Sequence, residues 1–333
     1  MDISCAIATS LATPSHVQLA EELGYERAWL YDSPAVYPDV WMILAQCAER
    51  TGRIGLGPAV LVPSLRHPMV NAAAIATLDA RAPGRVAVAV GTGFSGRLAI
   101  GERPMHWNDV ALYVRVLRAL LKGEEAQWQG KTLRMLHTRN FAAPRPLEVP
   151  ILIAVAGPKG LAVAAELGDG VFTVGVPRPE AASFTSRQVL LNFGTILDEG
   201  EVITSPRVFH SLAASAAVLF HGAYESGGAK SVDALPGGRA WRESIEALPV
   251  ASRHLAVHSG HLVEANEHDR EHVNELMELV RIRSFTGSPH EVRAQLEALS
   301  KCGVTEVAYQ PAGPNLEREL RAFASAVRLE GSR

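Results

Sequence analysis

Short apolar runs alternate with helix-patterned segments along most of the chain, and this alternation constrains the fold more than any other feature. Residues 3–8, 27–31, 54–62 and 86–90 read as strands, and 16–23, 40–50 and 69–79 between them carry apolar residues at helical spacing. Thr13-Pro14 is a helix-opening pair and Gly24 a helix stop. Strands separated by helices at this spacing imply a parallel sheet. Further on, the pattern predicts a helix over 109–121, a surface hairpin around Trp128 to Thr132, a strand over 151–155, a helix to Leu167 and a strand over 170–174. It then predicts a helix over 179–197, a strand over 211–220, and a loop or insertion with short helices over 224–249, where Gly, Pro and Ser are frequent. Helices over 269–283 and 289–301, a strand over 304–309 and a helix over 315–329 complete the count. The α/β class is expected, as one (β/α)8 TIM barrel spanning 1–333, with insertions and a less regular stretch around 183–262.

Composition narrows the function classes. With 333 residues, 47% hydrophobic and 20% charged, the chain has material for a large core. A formal net charge of -3 gives no reason to expect a nucleic-acid partner. Cys5, Cys47 and Cys302 are odd in number and far apart, which fits a reducing cytoplasm rather than a disulfide framework. No basic region precedes an apolar one at Met1-Asp2-Ile3, and the apolar run 212–220 is too short to span a bilayer. The expectation is a cytoplasmic protein that acts on a small molecule, with no membrane partner.

Candidate site residues fall where strands end. Val86 to Val90 leads into Gly91-Thr92-Gly93, where backbone can approach a ligand closely, or simply turn. Asp32 ends the second strand, as a hydrogen-bond acceptor for a cofactor edge or as the start of an Asx-turn before Pro34. Gly57-Pro58-Ala59-Val60 offers small residues against a flat ring, or close packing. Ala156-Gly157-Pro158-Lys159 is a strand-to-helix turn whose free N–H groups suit a phosphate, with Lys159 as an added charge; the alternative is a capped helix with a solvated lysine. It lacks the spacing of a nucleotide P-loop, and the match of Gly91, Gly93 and Gly96 to a dinucleotide fingerprint lacks its acidic partner. His254, His258 and His261 share a helical face, but Leu255 stands where a zincin has Glu and no carboxylate pair is near in sequence; no metal is assigned.

These segments together resemble the luciferase-like flavin and deazaflavin-dependent oxidoreductases, and within them the methylenetetrahydromethanopterin reductase-like proteins. The likeness runs over nearly the whole chain. It is carried by GPAVLVPSLRHP (57–68), AAAIATLD (72–79), PGR (83–85), GTGFSGRLAIG (91–101), AGPKGLAVAAELGDGVF (156–172) and GVTEVAYQPAG (303–313). The resemblance implies a (β/α)8 barrel with the cofactor ring at the carboxyl ends of the strands, a bulged strand with a non-prolyl cis peptide at Ala59 and Val60, and frequent homodimers. It implies cofactor contacts at Asp32, Ala59, Val60, Thr92 and Gly93, and phosphate contacts at the Ala156 and Gly157 backbone; the reading of the strand ends adds Gly91, Pro158 and Lys159 to the expected cofactor site.

Two departures matter. Sugar-phosphate dehydrogenases of this kind carry His after the Asp and Glu after the Gly-Thr-Gly turn, whereas Ser33 and Phe94 stand here. The luciferases' active-site His at the end of the second strand is missing too, and Gly91 replaces their Cys. The expected activity is therefore hydride transfer between an 8-hydroxy-5-deazaflavin coenzyme and a small organic substrate; the alternative is an FMN-dependent monooxygenase. Tyr37, His106 and His258 are candidate proton donors by chemistry.

Overall fold

The computed structural model describes residues 1–138, 140–329 and 331. The first half runs β1 (Asp2–Ile7), α1 (Thr13–Glu22), β2 (Arg27–Leu30), α2 (Val40–Arg50), β3 (Gly55–Leu61), α3 (Pro68–Arg81), β4 (Val88–Val90), α4 (Phe94–Leu98) and α5 (Trp107–Lys122). A hairpin of β5 (Ala126–Trp128) and β6 (Lys131–Leu133) follows, then β7 (Ile151–Ala154), α6 (Pro158–Leu167), β8 (Gly170–Val174) and β9 (Gln188–Gly194). The last part holds α7 (Pro206–Val232), α8 (Gly238–Glu246), α9 (Arg253–His258), α10 (Glu267–Arg270), α11 (Met277–Arg283), α12 (Pro289–Lys301), β10 (Glu306–Pro311) and α13 (Leu316–Val327).

The eight strands other than β5 and β6 form a closed, all-parallel barrel in the order β1-β10-β9-β8-β7-β4-β3-β2, as a (β/α)8 fold requires. Alternation along each strand sorts the side chains. Cys5, Ile7, Leu30, Val88, Val90 and Ile153 point outward to the helices. Ala6, Trp29, Ala87, Ala89, Leu152 and Phe172 fill the interior. Because so many interior positions are alanine, Trp29 and Phe172 occupy the middle, edge to face with centroids 5.5 Å apart. The amino-terminal end is closed by buried Glu306, which accepts from Trp29 Nε1 (2.8 Å) and Ser4 Oγ (2.7 Å).

Local signals set the helix ends. Asp39 caps α2 by accepting from the N–H groups of Trp41 and Met42, and Ser288 with Glu291 forms a capping box on α12. Two expectations fail between 179 and 220. Residues 188–194 form β9 instead of helix, and 211–220 lie inside α7 instead of in a strand. A short apolar run does not declare its period; the Ala-rich composition of 212–217 favours helix, and 188–194 is the run that completes the barrel. The stretch read as a loop or insertion with short helices holds the end of α7, kinked at Gly228 (φ 61°), and the short helix α8. The helix expected over 269–283 is divided into α10, a 3-10 turn and α11. Helices α7, α8, α9 and α11 share a separate apolar core around Phe220, Trp241 and Leu276, seated beside the carboxyl-terminal rim. Among the described residues no helix is long and apolar enough to cross a membrane.

Truncating the central side chain tests this packing. Trp29→Ala should cost about 3–5 kcal/mol, read as a lower urea midpoint. An unchanged midpoint would mean that the barrel does not depend on Trp29 to fill its centre.

Candidate functional site

The carboxyl ends of the strands surround a cavity of about 960 Å³. Its wall includes Tyr31, Ala59, Val60, Gly93, Phe172 and Val174 from the barrel, and α7 roofs it with Ser215, Val218 and Leu219. A second cavity of about 1020 Å³ adjoins it and shares Tyr31, Tyr37, Leu262 and Gln310. At that boundary Tyr31 Oη donates to Gln310 Oε1 (2.8 Å) and Gln310 Nε2 donates to Ser215 Oγ (3.1 Å). Mostly apolar clefts of this size hold small organic ligands.

The sequence-predicted residues divide into those on the wall and those behind it. Asp32, Ala59, Val60, Gly93 and Tyr37 line the cavity. The Ala59–Val60 peptide is cis, and the β3–β4 register shifts between Ala59 and Leu61, as the family resemblance implied. Asp32 is less free than its sequence position suggested. Both its carboxylate oxygens accept from Arg66 Nη1, at 2.8 and 2.7 Å, while Arg66 Nη2 holds Asp39 at 2.6 Å. Burial raises the Asp32 pKa, and the Arg66 guanidinium works against that rise. Gly57 is a packing residue: a Cβ there would stand 1.7 Å from the Ala87 carbonyl oxygen. Gly91 sits behind Val60, since its Cβ would meet Val60 Cγ2 and Ala154 Cβ at 3.2 Å. The Thr92 carbonyl accepts from the Met105 N–H.

Ala156, Gly157, Pro158 and Lys159 form the turn into α6 and line neither cavity. Gly157 is the cap residue without a capping side chain, and a Cβ there would meet nothing within 4 Å. Leu161 is the first residue bonded back to Gly157, so the N–H groups of Lys159 and Gly160 lie outside the helical ladder. Arg178, which the sequence reading missed, donates through Nη2 to the Ala156 carbonyl, and its Nε is buried without a hydrogen-bond partner. An open turn, free N–H groups and a guanidinium with one unpartnered nitrogen fit the phosphate end of the implied cofactor, and the apolar cavity fits its ring.

The proton-donor candidates are scattered. His106 is exposed at the cap of α5 and lines neither cavity. His258 is buried with its ring edge-on to Phe94, centroids 6.4 Å apart, and is not on the wall. Tyr37 is on the wall, but its hydroxyl donates to the His261 carbonyl at 2.5 Å. Burial pushes that phenol well above its ordinary pKa. Ser95 and His261 also line the cavity, with Ser95 Oγ 2.8 Å from His261 Nε2. Burial pushes the His261 pKa well below its ordinary value, and neighbouring His221 and His258 act in the same direction. Behind it, His221 Nδ1 stands 3.3 Å from His261 Nδ1, and His221 Nε2 meets Asp269 Oδ1 at 3.0 Å. His254, grouped with His258 and His261 by spacing, is not in this cluster; His221 from α7 takes its place. No local motif marks His221, which stands between the run read as a strand (211–220) and the stretch read as a loop or insertion (224–249).

The luciferase-like monooxygenase family model matches residues 12–306. A 5,10-methylenetetrahydromethanopterin reductase of Archaeoglobus fulgidus is 26% identical over 326 residues, covering 94% of this chain and 93% of that one. An F420-dependent secondary alcohol dehydrogenase, solved with an F420–acetone adduct, shares the fold with a TM-score of 0.67 at 18% identity, over 98% and 99% of the two chains. The oxygenating constituent of 3,6-diketocamphane monooxygenase of Pseudomonas putida, solved with FMN, gives 0.64 at 13% identity, over 99% and 97%. By its match over most of its length, the chain belongs to the luciferase-like monooxygenase family.

Proposed function

We propose that this protein is a deazaflavin-dependent oxidoreductase that transfers a hydride between the 8-hydroxy-5-deazaflavin coenzyme and a small organic substrate such as an imine or an activated alkene. The observation that carries the proposal is the similarity to a 5,10-methylenetetrahydromethanopterin reductase over nearly the full length of both chains. When bound, the coenzyme supplies the hydride from its ring carbon. The protein's own part is positioning, water exclusion and proton handling. Arg178, Lys159 and the amino-terminal end of α6 hold the phosphate. Ala59, Val60 and Gly93 line the ring's face of the cavity, and Leu219 from α7 helps to exclude water. Ser95, on the wall and bonded to His261, handles the proton. Sugar-phosphate oxidation is disfavoured because Ser33 and Phe94 replace its acid and base. The partners in this proposal are a small-molecule substrate and a second copy of the chain.

The FMN-dependent monooxygenase is retained as a second reading because an FMN-bound monooxygenase shares the fold. Anaerobic turnover of reduced deazaflavin with a panel of imines and activated alkenes is expected, without oxygen uptake on adding reduced FMN. Oxygen uptake dependent on reduced FMN, with no deazaflavin turnover, would overturn the proposal in favour of the monooxygenase. Ser95→Ala should slow hydride-acceptor turnover by about 100-fold or more with coenzyme affinity nearly unchanged; full turnover would remove Ser95 from proton handling. Arg178→Ala should weaken coenzyme binding by about tenfold, in line with loss of a charge-assisted hydrogen bond of roughly 1.5 kcal/mol. Undiminished affinity would show that the phosphate is held elsewhere.

A further inference from the structure

We propose that His221, His258 and His261 form a binding site for a first-row divalent transition metal, zinc above all, directly behind the cavity wall. One ring nitrogen from each histidine lies within 4.8 Å of the others, and all three side chains are buried. The site unites distant parts of the chain: His221 comes from the middle of α7, His258 from the last turn of α9, and His261 from the loop beyond it.

Spacing supports a metal over a simple hydrogen bond. Two nitrogens bound to zinc at about 2.0–2.1 Å in a tetrahedron are separated by roughly 3.4 Å. His221 Nδ1 and His261 Nδ1 stand 3.3 Å apart, long for a bond between imidazoles. Their other nitrogens already have the partners that a metal-bound imidazole uses. His221 Nε2 meets Asp269 Oδ1, and His261 Nε2 meets Ser95 Oγ. Asp269 is itself fixed by Trp241 Nε1 (2.9 Å) and by the Asn266 N–H (3.2 Å). His258 supplies the independent sign of a missing ligand: it is 3% exposed, yet neither ring nitrogen has a hydrogen-bond partner. Such a group is costly to bury unsatisfied. Glu225, one turn beyond His221 on α7, holds its Oε1 3.6 Å from His258 Nε2, where it would orient that ring. Three imidazole ligands suit zinc and its neighbours rather than magnesium or calcium, which prefer oxygen.

The metal would change the chemistry at the wall. Without it, Asp269 takes the hydrogen of His221 Nε2, so His221 Nδ1 accepts from His261 Nδ1–H. His261 Nε2 must then accept from Ser95, turning the hydroxyl hydrogen away from the cavity. With both Nδ1 atoms on the metal, His261 Nε2 carries a hydrogen and donates to Ser95 Oγ. That frees the Ser95 hydroxyl hydrogen to point at a substrate.

The full-length protein, stripped with a chelator, is titrated with Zn²⁺ and with Co²⁺, using the visible spectrum of cobalt as the reporter of geometry. One metal per chain at micromolar or tighter affinity, with the intense bands of a tetrahedral Co²⁺ site, is expected. His258→Gln and His221→Ala should each weaken binding by at least about 100-fold, while exposed His290→Ala on α12 should not change it. The wild-type stoichiometry and spectrum decide the matter even if a substituted chain fails to fold. No stoichiometric binding, an octahedral spectrum, or equal affinity in the folded His258→Gln chain would overturn the site. Coenzyme binding, measured on the same stripped protein, reports on the proposed function separately.

Discussion

Closure of the barrel is the constraint on which everything else depends. β1 pairs in parallel with β10 through Asp2 to Cys5 and with β2 through Cys5 to Ile7, so the first and last strands seal one sheet without edges. An all-parallel closed sheet sends every strand's carboxyl end to the same rim. Asp32, Leu61, Gly91, Val155, Val174 and Pro311, far apart in sequence, therefore surround one opening. Alanine-rich interior positions leave Trp29 and Phe172 to fill the centre, and Glu306 closes the bottom with hydrogen bonds. Both cavities thus open among the carboxyl ends of the strands, and α7 beyond β9 roofs one of them.

The roof has its own physics. Phe220 stacks on Trp241 with centroids 5.4 Å apart, in a core separate from the barrel's. A buried carboxylate, Asp269, ties that core to the rim. It accepts from Trp241, meets His221, and completes a capping box with Asn266 at the start of α10. Burying a charge in this way is tolerable because its hydrogen bonds are supplied. The consequence is a fixed layer of imidazoles pressed against the cavity wall. Ser95, reached by His261, is the point at which this layer touches the ligand space.

The fold was legible where period and punctuation agreed. Val40 to Arg50 is capped by Asp39, and residues 289–301 by the Ser288 and Glu291 box; both helices have the bounds their patterns predict. Legibility failed between 179 and 220, where 188–194 and 211–220 are both short apolar runs and barrel closure picks the first as the strand. The site was half legible. Residues at strand ends, such as Asp32, Val60 and Gly93, follow from the barrel itself. Arg66, Arg178 and His221 do not, because each acts through a contact across the fold. Arg66 holds Asp32 from 34 residues away, Arg178 reaches back to Ala156, and His221 meets Asp269 over 48 residues. Helical spacing grouped His254 with His258 and His261, but the chain leaves the helix after His258.

The central claim is that the rim cavity and the α6 turn together hold a deazaflavin. Titration of the purified chain with 8-hydroxy-5-deazaflavin coenzyme and, in parallel, with FMN tests it most directly, followed through quenching of tryptophan fluorescence. One equivalent of the deazaflavin should bind, at least about tenfold more tightly than FMN, a difference of about 1.4 kcal/mol. Tighter binding of FMN, or no binding of either, would contradict it.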